Sequence, residues 1–143
     1  MSTTSGEPLT VGTELPAWEL PVTPTLIVSA AIATRDFQDV HHDRDLAVER
    51  GSKDIFLNIL TTTGLVQRFV TDWAGPEALV RDIAIRLGAP AYPNDSLMFT
   101  GAVAEQVEVA GEKRYVVRVV GANSLGNHVT GTVTIALAGQ AEL

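Results

Sequence analysis

Apolar positions along the chain follow two periods, and the change between them divides it. Before Pro76 they recur at three and four residues; after it they alternate. Thr23 followed by Pro24 predicts a helix start, with a hydroxyl N-cap and proline at the first helical position. "TLIVSAAIATRD" supplies its body and brings it to an end near Asp36. A shorter helix is expected next, with Asp43 as cap, "RDLAVER" as body and Gly51 as stop. From Asp54 to Trp73 the residues Ile55, Phe56, Ile59, Leu60, Val66, Phe69, Val70 and Trp73 keep the helical spacing. The first two turns are apolar nearly all round, which predicts a buried helix, capped by Asp54 and stopped by Gly75-Pro76. Thr61, Thr62, Thr63 and Gly64 are poor helix formers within it. Their hydroxyls are expected to satisfy helix carbonyls rather than line a pocket.

"ELPAWELPVTP" reads as a short extended segment, because Pro16 and Pro21 exclude a helix interior and suit an edge strand. Beyond Pro76, Ile83, Ile85 and Leu87 alternate with Asp82, Ala84 and Arg86. Phe99, Gly101, Val103, Val107 and Val109 continue the pattern, less cleanly around Glu105. Tyr115, Val117 and Val119 form a third run. Val129, Val133, Ile135 and Leu137 share one face of the last, opposite His128, Thr130, Thr132 and Thr134. Turn signals at "GAPAYPND", "AGEK" and "GANSLGN" suit an antiparallel meander. One buried helix of about five turns followed by four strands is an α+β arrangement with the helix on one sheet face. A sheet wrapped around such a helix is the hotdog fold, and its open edges favour pairing with another subunit. Residues 1–10 are expected to form a flexible tail and 11–143 a single domain.

Composition narrows the function classes. A chain of 143 residues fits one domain and can bury roughly 70% of its unfolded surface. With no cysteine, neither a disulfide nor a thiolate zinc site is available. No basic residue precedes an apolar core at the N-terminus, and the longest apolar stretch, "LIVSAAIA", is too short to span a bilayer. A cytoplasmic protein outside the membrane is expected. The net charge of −7 and the lack of a basic cluster argue against a nucleic-acid partner.

The chemistry concentrates in "RDFQDVHHDRDLA", residues 35–47, where Asp36, Asp39, His41, His42, Asp43 and Asp45 crowd together. A metal site is disfavoured, because adjacent histidines in an extended chain point to opposite sides and no HExxH spacing occurs. A solvated turn leading to a helix, with Asp43 as its cap, accounts for much of the cluster. A third reading is acid–base chemistry: an aspartate and a histidine on one loop can share a water, the histidine titrating near neutral pH. Spacing alone leaves the last two open.

The stretch resembles the active-site segment of MaoC-like, (R)-specific enoyl-CoA hydratases, whose pattern runs Gly-Asp-x-Asn-Pro-Leu-His-x-Asp with Ala four residues on. Asp36 and His41 fall on the catalytic pair, and Asp43 and Ala47 match the remaining positions. Arg35 stands for Gly, Gln38 for Asn and Asp39 for Pro. The segment "ATRDFQDVHHDRDLAVERGSKDIFLNILTTTGLVQRFVTDWAGP" resembles the smaller, catalytic MaoC-like subunit of actinobacterial hydratases acting on cholesterol side-chain CoA esters. The resemblance implies hydration of a steroid CoA thioester with a three-carbon side chain. It also implies a second MaoC-like subunit, in a heterodimer or heterotetramer, and no cofactor, since CoA is part of the substrate. A MaoC-like dehydratase of fatty-acyl chains and a non-catalytic acyl-binding subunit are the alternatives.

Where the family usually has His-Gly-Met at the central helix, this chain has Asn58-Ile59-Leu60. The resemblance puts oxyanion contact with the thioester in that neighbourhood, although Ile59 and Leu60 also read simply as core. His42 occupies a variable position. Phe69 and Trp73 read as core, and His128 as an exposed residue on a strand's polar face. Arg81, Arg86, Arg114 and Arg118 are candidates for CoA phosphates, with a solvated face as the default. An acidic chain binding an anionic ligand needs a local basic patch or a partner's residues.

Overall fold

A computed structural model describes residues 9–137. The chain order is β1 (Glu14–Pro21), α1 (Pro24–Ala33), a 3₁₀ turn (Asp39–His41), α2 (Arg44–Glu49), α3 (Ile59–Ala74), β2 (Ala78–Leu87), β3 (Ser96–Val109), β4 (Glu112–Asn123) and β5 (Gly126–Leu137). The expected N-terminal tail lies mostly outside the described residues; Leu9 is already part of the core.

The strands form one antiparallel sheet in the order β1-β3-β4-β5-β2. β1 is an edge strand, as its prolines require, and Pro16 falls inside a bulge between Leu15 and Trp18, where a missing N–H costs no ladder bond. The faltering alternation near Glu105 is also a bulge, between Val103 and Glu105. The β3–β4 hairpin turns on Ala110 and Gly111, both at positive φ (51° and 80°), the backbone of a two-residue primed turn.

α3 packs against both edge strands, β1 and β2, and against β4 and β5 between them, so one sheet face cradles it. Val66, Phe69, Val70 and Trp73 meet Phe99, Val103, Val117, Val119, Val133 and Ile135 in a single core. This is the hotdog arrangement expected from the two hydrophobic periods. Close packing explains Gly121: a Cβ there would lie 2.9 Å from the Phe99 ring.

α3 begins later than its apolar spacing suggests. Residues 55–58 are extended, not helical. Phe56 N–H donates to Val40 O (3.2 Å) and Leu57 N–H to Ala91 O (3.1 Å), while Ile55 and Leu57 are buried. Asp54 does not cap this helix; its carboxylate accepts from its neighbour's N–H and from Arg44. The cap is Asn58, whose Oδ1 accepts the N–H of Thr61 at 3.1 Å. The first turn is correspondingly not buried all round: Ile59 is 51% and Leu60 53% exposed. The cap places them at the open end of the helix, which overturns their reading as core. No helix among the described residues is long and apolar enough to cross a membrane.

Candidate active site

Asp36 owes its position to the way α1 ends. Thr34 is the C-cap, Arg35 N–H donates to Ile32 O (3.0 Å), and Asp36 N–H donates to Ala31 O (2.9 Å). This pair of bonds is a Schellman turn, which needs a left-handed residue after the cap. Arg35 fills that position at φ 57°. The conformation explains why the related pattern carries glycine there, and it shows that Arg35 adopts the same turn with a Cβ present.

His41 ends the 3₁₀ turn five residues later and is 6% exposed. Its Nδ1–H donates to Phe56 O at 2.8 Å, and the Phe56 ring stands edge-on to the imidazole at 4.9 Å. With Nδ1 committed to a carbonyl, Nε2 is the nitrogen left to accept or deliver a proton. Nε2 lies 3.5 Å from Asp36 Oδ2. That separation exceeds a good direct hydrogen bond, so neither atom is committed to the other.

The rest of the acidic cluster holds the loop. Asp39 pairs with Arg50 through two bonds (2.6 and 2.7 Å), and Asp43 caps α2 by accepting from Leu46 N–H at 3.1 Å. Arg44 binds Asp54 at 2.7 Å. The His42 ring turns to Phe37 O (3.1 Å), away from the pair. Among the described residues no three His, Asp or Glu side chains converge as a metal-ligating group.

Asn58 joins the site to α3. Its Nδ2 donates to Asp36 Oδ2 (3.1 Å) and to Thr34 Oγ1 (2.9 Å). This amide is the main influence holding the Asp36 carboxyl below its ordinary range. Partial burial opposes it, and the Gln38 N–H and the charge of His41 add to it. At the start of α3 the cap takes the N–H of Thr61, and Asn58 O takes that of Thr62 (3.2 Å). The N–H groups of Ile59 and Leu60 are left open at the positive end of the helix dipole.

Sequence reasoning missed His128. Rather than exposed, it is 2% exposed, with Nδ1–H donating to Ala89 O (2.7 Å) and Nε2 accepting from the Thr62 hydroxyl (2.8 Å). It is the extra residue of a bulge in β5 opposite Gly121 and Ala122, so the alternation that assigned it to the polar face breaks at that point. Of the threonine run, only Thr63 uses its hydroxyl on a helix carbonyl, that of Ile59 (2.8 Å); Thr61 bonds Asn58 Oδ1 and Thr62 bonds His128. Arg81 and Arg114 both bind Glu112, whose carboxyl they pull down to about 2. Those two guanidiniums are therefore already engaged by a carboxylate.

Comparison with known proteins identifies relatives of the whole chain. A protein of Mycobacterium tuberculosis (strain ATCC 25618 / H37Rv), the 3-oxo-4,17-pregnadiene-20-carboxyl-CoA hydratase beta subunit, is 58% identical over 127 residues, 89% of this chain and 95% of that protein. The crystal structure of the ChsH1-ChsH2 complex from Mycobacterium tuberculosis contains a chain 58% identical to this one. The two match with a TM-score of 0.83 over 90% of this chain and 98% of that one. An (R)-hydratase from A. caviae involved in PHA biosynthesis shares the fold at 14% identity, with a TM-score of 0.76 over 94% of this chain and 99% of that one. The family model described as MaoC like domain matches residues 8–124. A hotdog sheet around α3, an aspartate on a Schellman turn and a histidine five residues on thus come together in a chain that belongs to the MaoC-like domain family.

Proposed function

We propose that this chain is the catalytic subunit of an enoyl-CoA hydratase that adds water across the 2,3 double bond of a steroid CoA thioester with a three-carbon side chain. The observation that carries the reading is the 58% identity, over nearly all of both chains, to a pregnadiene-carboxyl-CoA hydratase subunit. The geometry supports it. Asp36 Oδ2 and His41 Nε2 lie 3.5 Å apart; one water placed against both loses a proton to Asp36 as its oxygen bonds to Cβ. A proton carried on His41 Nε2 passes to Cα. Return of the proton from Asp36 to His41 resets the pair. The thioester oxygen, negative in the enolate-like transition state, is met by the open N–H groups of Ile59 and Leu60. No cofactor enters the scheme, since CoA belongs to the substrate.

The chain works beside a second MaoC-like subunit in this reading. Its relative is a beta subunit, and the similar crystal structure is of a two-protein complex. Exposed Ile59 and Leu60 flank the open end of α3, and a chain of charge −7 with two of its arginines engaged by Glu112 offers little to CoA phosphates.

Asp36→Asn and His41→Ala are each expected to lower steroid enoyl-CoA hydration by at least about a hundredfold, with the fold checked by circular dichroism. Near-normal rates in folded variants would overturn the assignment of the pair. Turnover of crotonyl-CoA in preference to the steroid thioester would move the reading to a fatty-acyl dehydratase. Full activity of the purified chain alone would remove the second subunit.

A further inference from the structure

Asn58 has no polar group to spare for substrate. It is 2% exposed. The Thr61 N–H is an obligatory donor, so the atom facing it must be Oδ1, and the Thr61 hydroxyl donates to that same oxygen. Both hydrogens of Nδ2 are then committed, one to Thr34 Oγ1 and one to Asp36 Oδ2. Thr34 confirms the sense, because its hydroxyl donates to Ala30 O at 2.8 Å and is left to accept from Asn58. The amide therefore has one orientation. Turning it over would set Nδ2 against the Thr61 N–H and Oδ1 against a carboxylate.

We propose that Asn58 is a positioning residue for the hydration chemistry: one side chain caps α3 and holds the Asp36 carboxylate by Oδ2, so the start of the central helix orients the proposed base and keeps it an acceptor. The proposal rests on the hydratase reading. Its consequence is that a single residue ties together the end of α1, the reacting carboxylate and the turn whose open N–H groups face the thioester. A shift of α3 along its axis moves base and oxyanion donors together. The titratable group that reaches Asp36 among the described residues is His41, on the 3₁₀ turn; α1 and α3 bring Thr34, Asn58 and Thr61, none of which titrates. The amide's effect on the carboxyl is thus separable from that of other charges.

The test follows the Asp36 carboxyl and the Asn58 side-chain amide by NMR in the ligand-free full chain, with Asp36→Asn as assignment control. In the unsubstituted protein the Asn58 amide protons are expected to shift as pH passes through the Asp36 midpoint, and to lose that response in Asp36→Asn. Asn58→Ser keeps a capping oxygen but cannot reach Asp36, and Asn58→Asp keeps the cap while opposing one carboxylate with another. The Asp36 midpoint should rise in the first and rise further in the second. The acid limb of the kcat/KM profile should move with it, and KM should change less than kcat. An Asn58 amide indifferent to Asp36 titration, or an unmoved midpoint in folded Asn58→Ser, would overturn the proposal. If Asp36→Asn hydrates normally, Asn58 positions no base and the proposal falls while the hydratase reading stands; if the unsubstituted protein hydrates no enoyl-CoA thioester although the amide responds, the hydratase reading falls and the contact stands.

Discussion

His41 and His128 are anchored alike and used differently. Both are buried, and both donate Nδ1–H to a backbone carbonyl, of Phe56 at 2.8 Å and of Ala89 at 2.7 Å. In each, Nε2 is the nitrogen left over. That of His128 meets the Thr62 hydroxyl at 2.8 Å, deep between β5 and α3. That of His41 faces the carboxylate of Asp36 across 3.5 Å, where the Asp36 side chain is still 21% exposed. A neutral donor at bonding distance makes a structural pin. A carboxylate 3.5 Å away, partly open to solvent, is the arrangement that the proposed hydration uses for proton transfer. Burial and a fixed tautomer are therefore common to both histidines; the group opposite the free nitrogen is what separates them.

Truncating the pin is the strongest way to break this comparison. His128→Ala empties a buried site and strips partners from Thr62 and from Ala89 O, an expected loss of about 3 kcal/mol in urea unfolding. The folded fraction should retain its specific hydration rate. His41→Ala also empties a buried site and strips the donor from Phe56 O, but its folded fraction should lose rate as well. If His128→Ala loses rate at unchanged stability, the division of labour is wrong.

A subtler contrast lies in pH. Burial, partly offset by the bond to Ala89 O, holds His128 below the ordinary histidine range. The unfolded chain then takes up a proton there at higher pH than the folded one. This group's contribution to stability is fully present above about pH 6.5 and drains away as the pH falls below it. Asp36, also lowered, adds its own loss only as the pH falls below about 4. In His128→Asn, which retains a donor for Ala89 O and does not titrate, the slope between about pH 6.5 and 5 should flatten. An unchanged slope would assign that window to another group.

The smallest effect concerns the two helix ends on the site loop. α2 closes with the same Schellman bonds as α1, Gly51 N–H to Val48 O and Ser52 N–H to Ala47 O, but with glycine at φ 95° where α1 has Arg35 at φ 57°. Arg35→Gly should relieve the left-handed strain and stabilise the protein by about 1 kcal/mol, read as a rise in Tm of roughly 2–4 °C. A fall in Tm would mean that the Arg35 side chain contributes more than its backbone costs.

What the sequence disclosed depended on whether the signal was local. The caps at Thr23 and Asp43 and the stop at Gly51 were legible because a side chain and its own backbone decide them. Asp36 and His41 were legible by resemblance, and their hydrogen-bond geometry is what the sequence withheld. The start of α3 was misjudged because "DIFLN" is a short apolar run, and a buried extended segment shows the same residues as a buried helical turn. Asn58, a good N-cap residue, was the available clue. His128 was lost because a bulge adds one residue to the count, and alternation predicts a face only while the register is unbroken.

The amide lock at Asn58 bears on where the site's order comes from. Every bond that fixes Asp36, from Ala31 O through Thr34 and Asn58 to Thr61, lies within this one chain. None of these contacts draws on a group from a substrate or a second subunit. In the proposed hydratase, a partner that shapes the acyl site could then diverge with the substrate without disturbing the bonds that hold the Asp36 carboxylate.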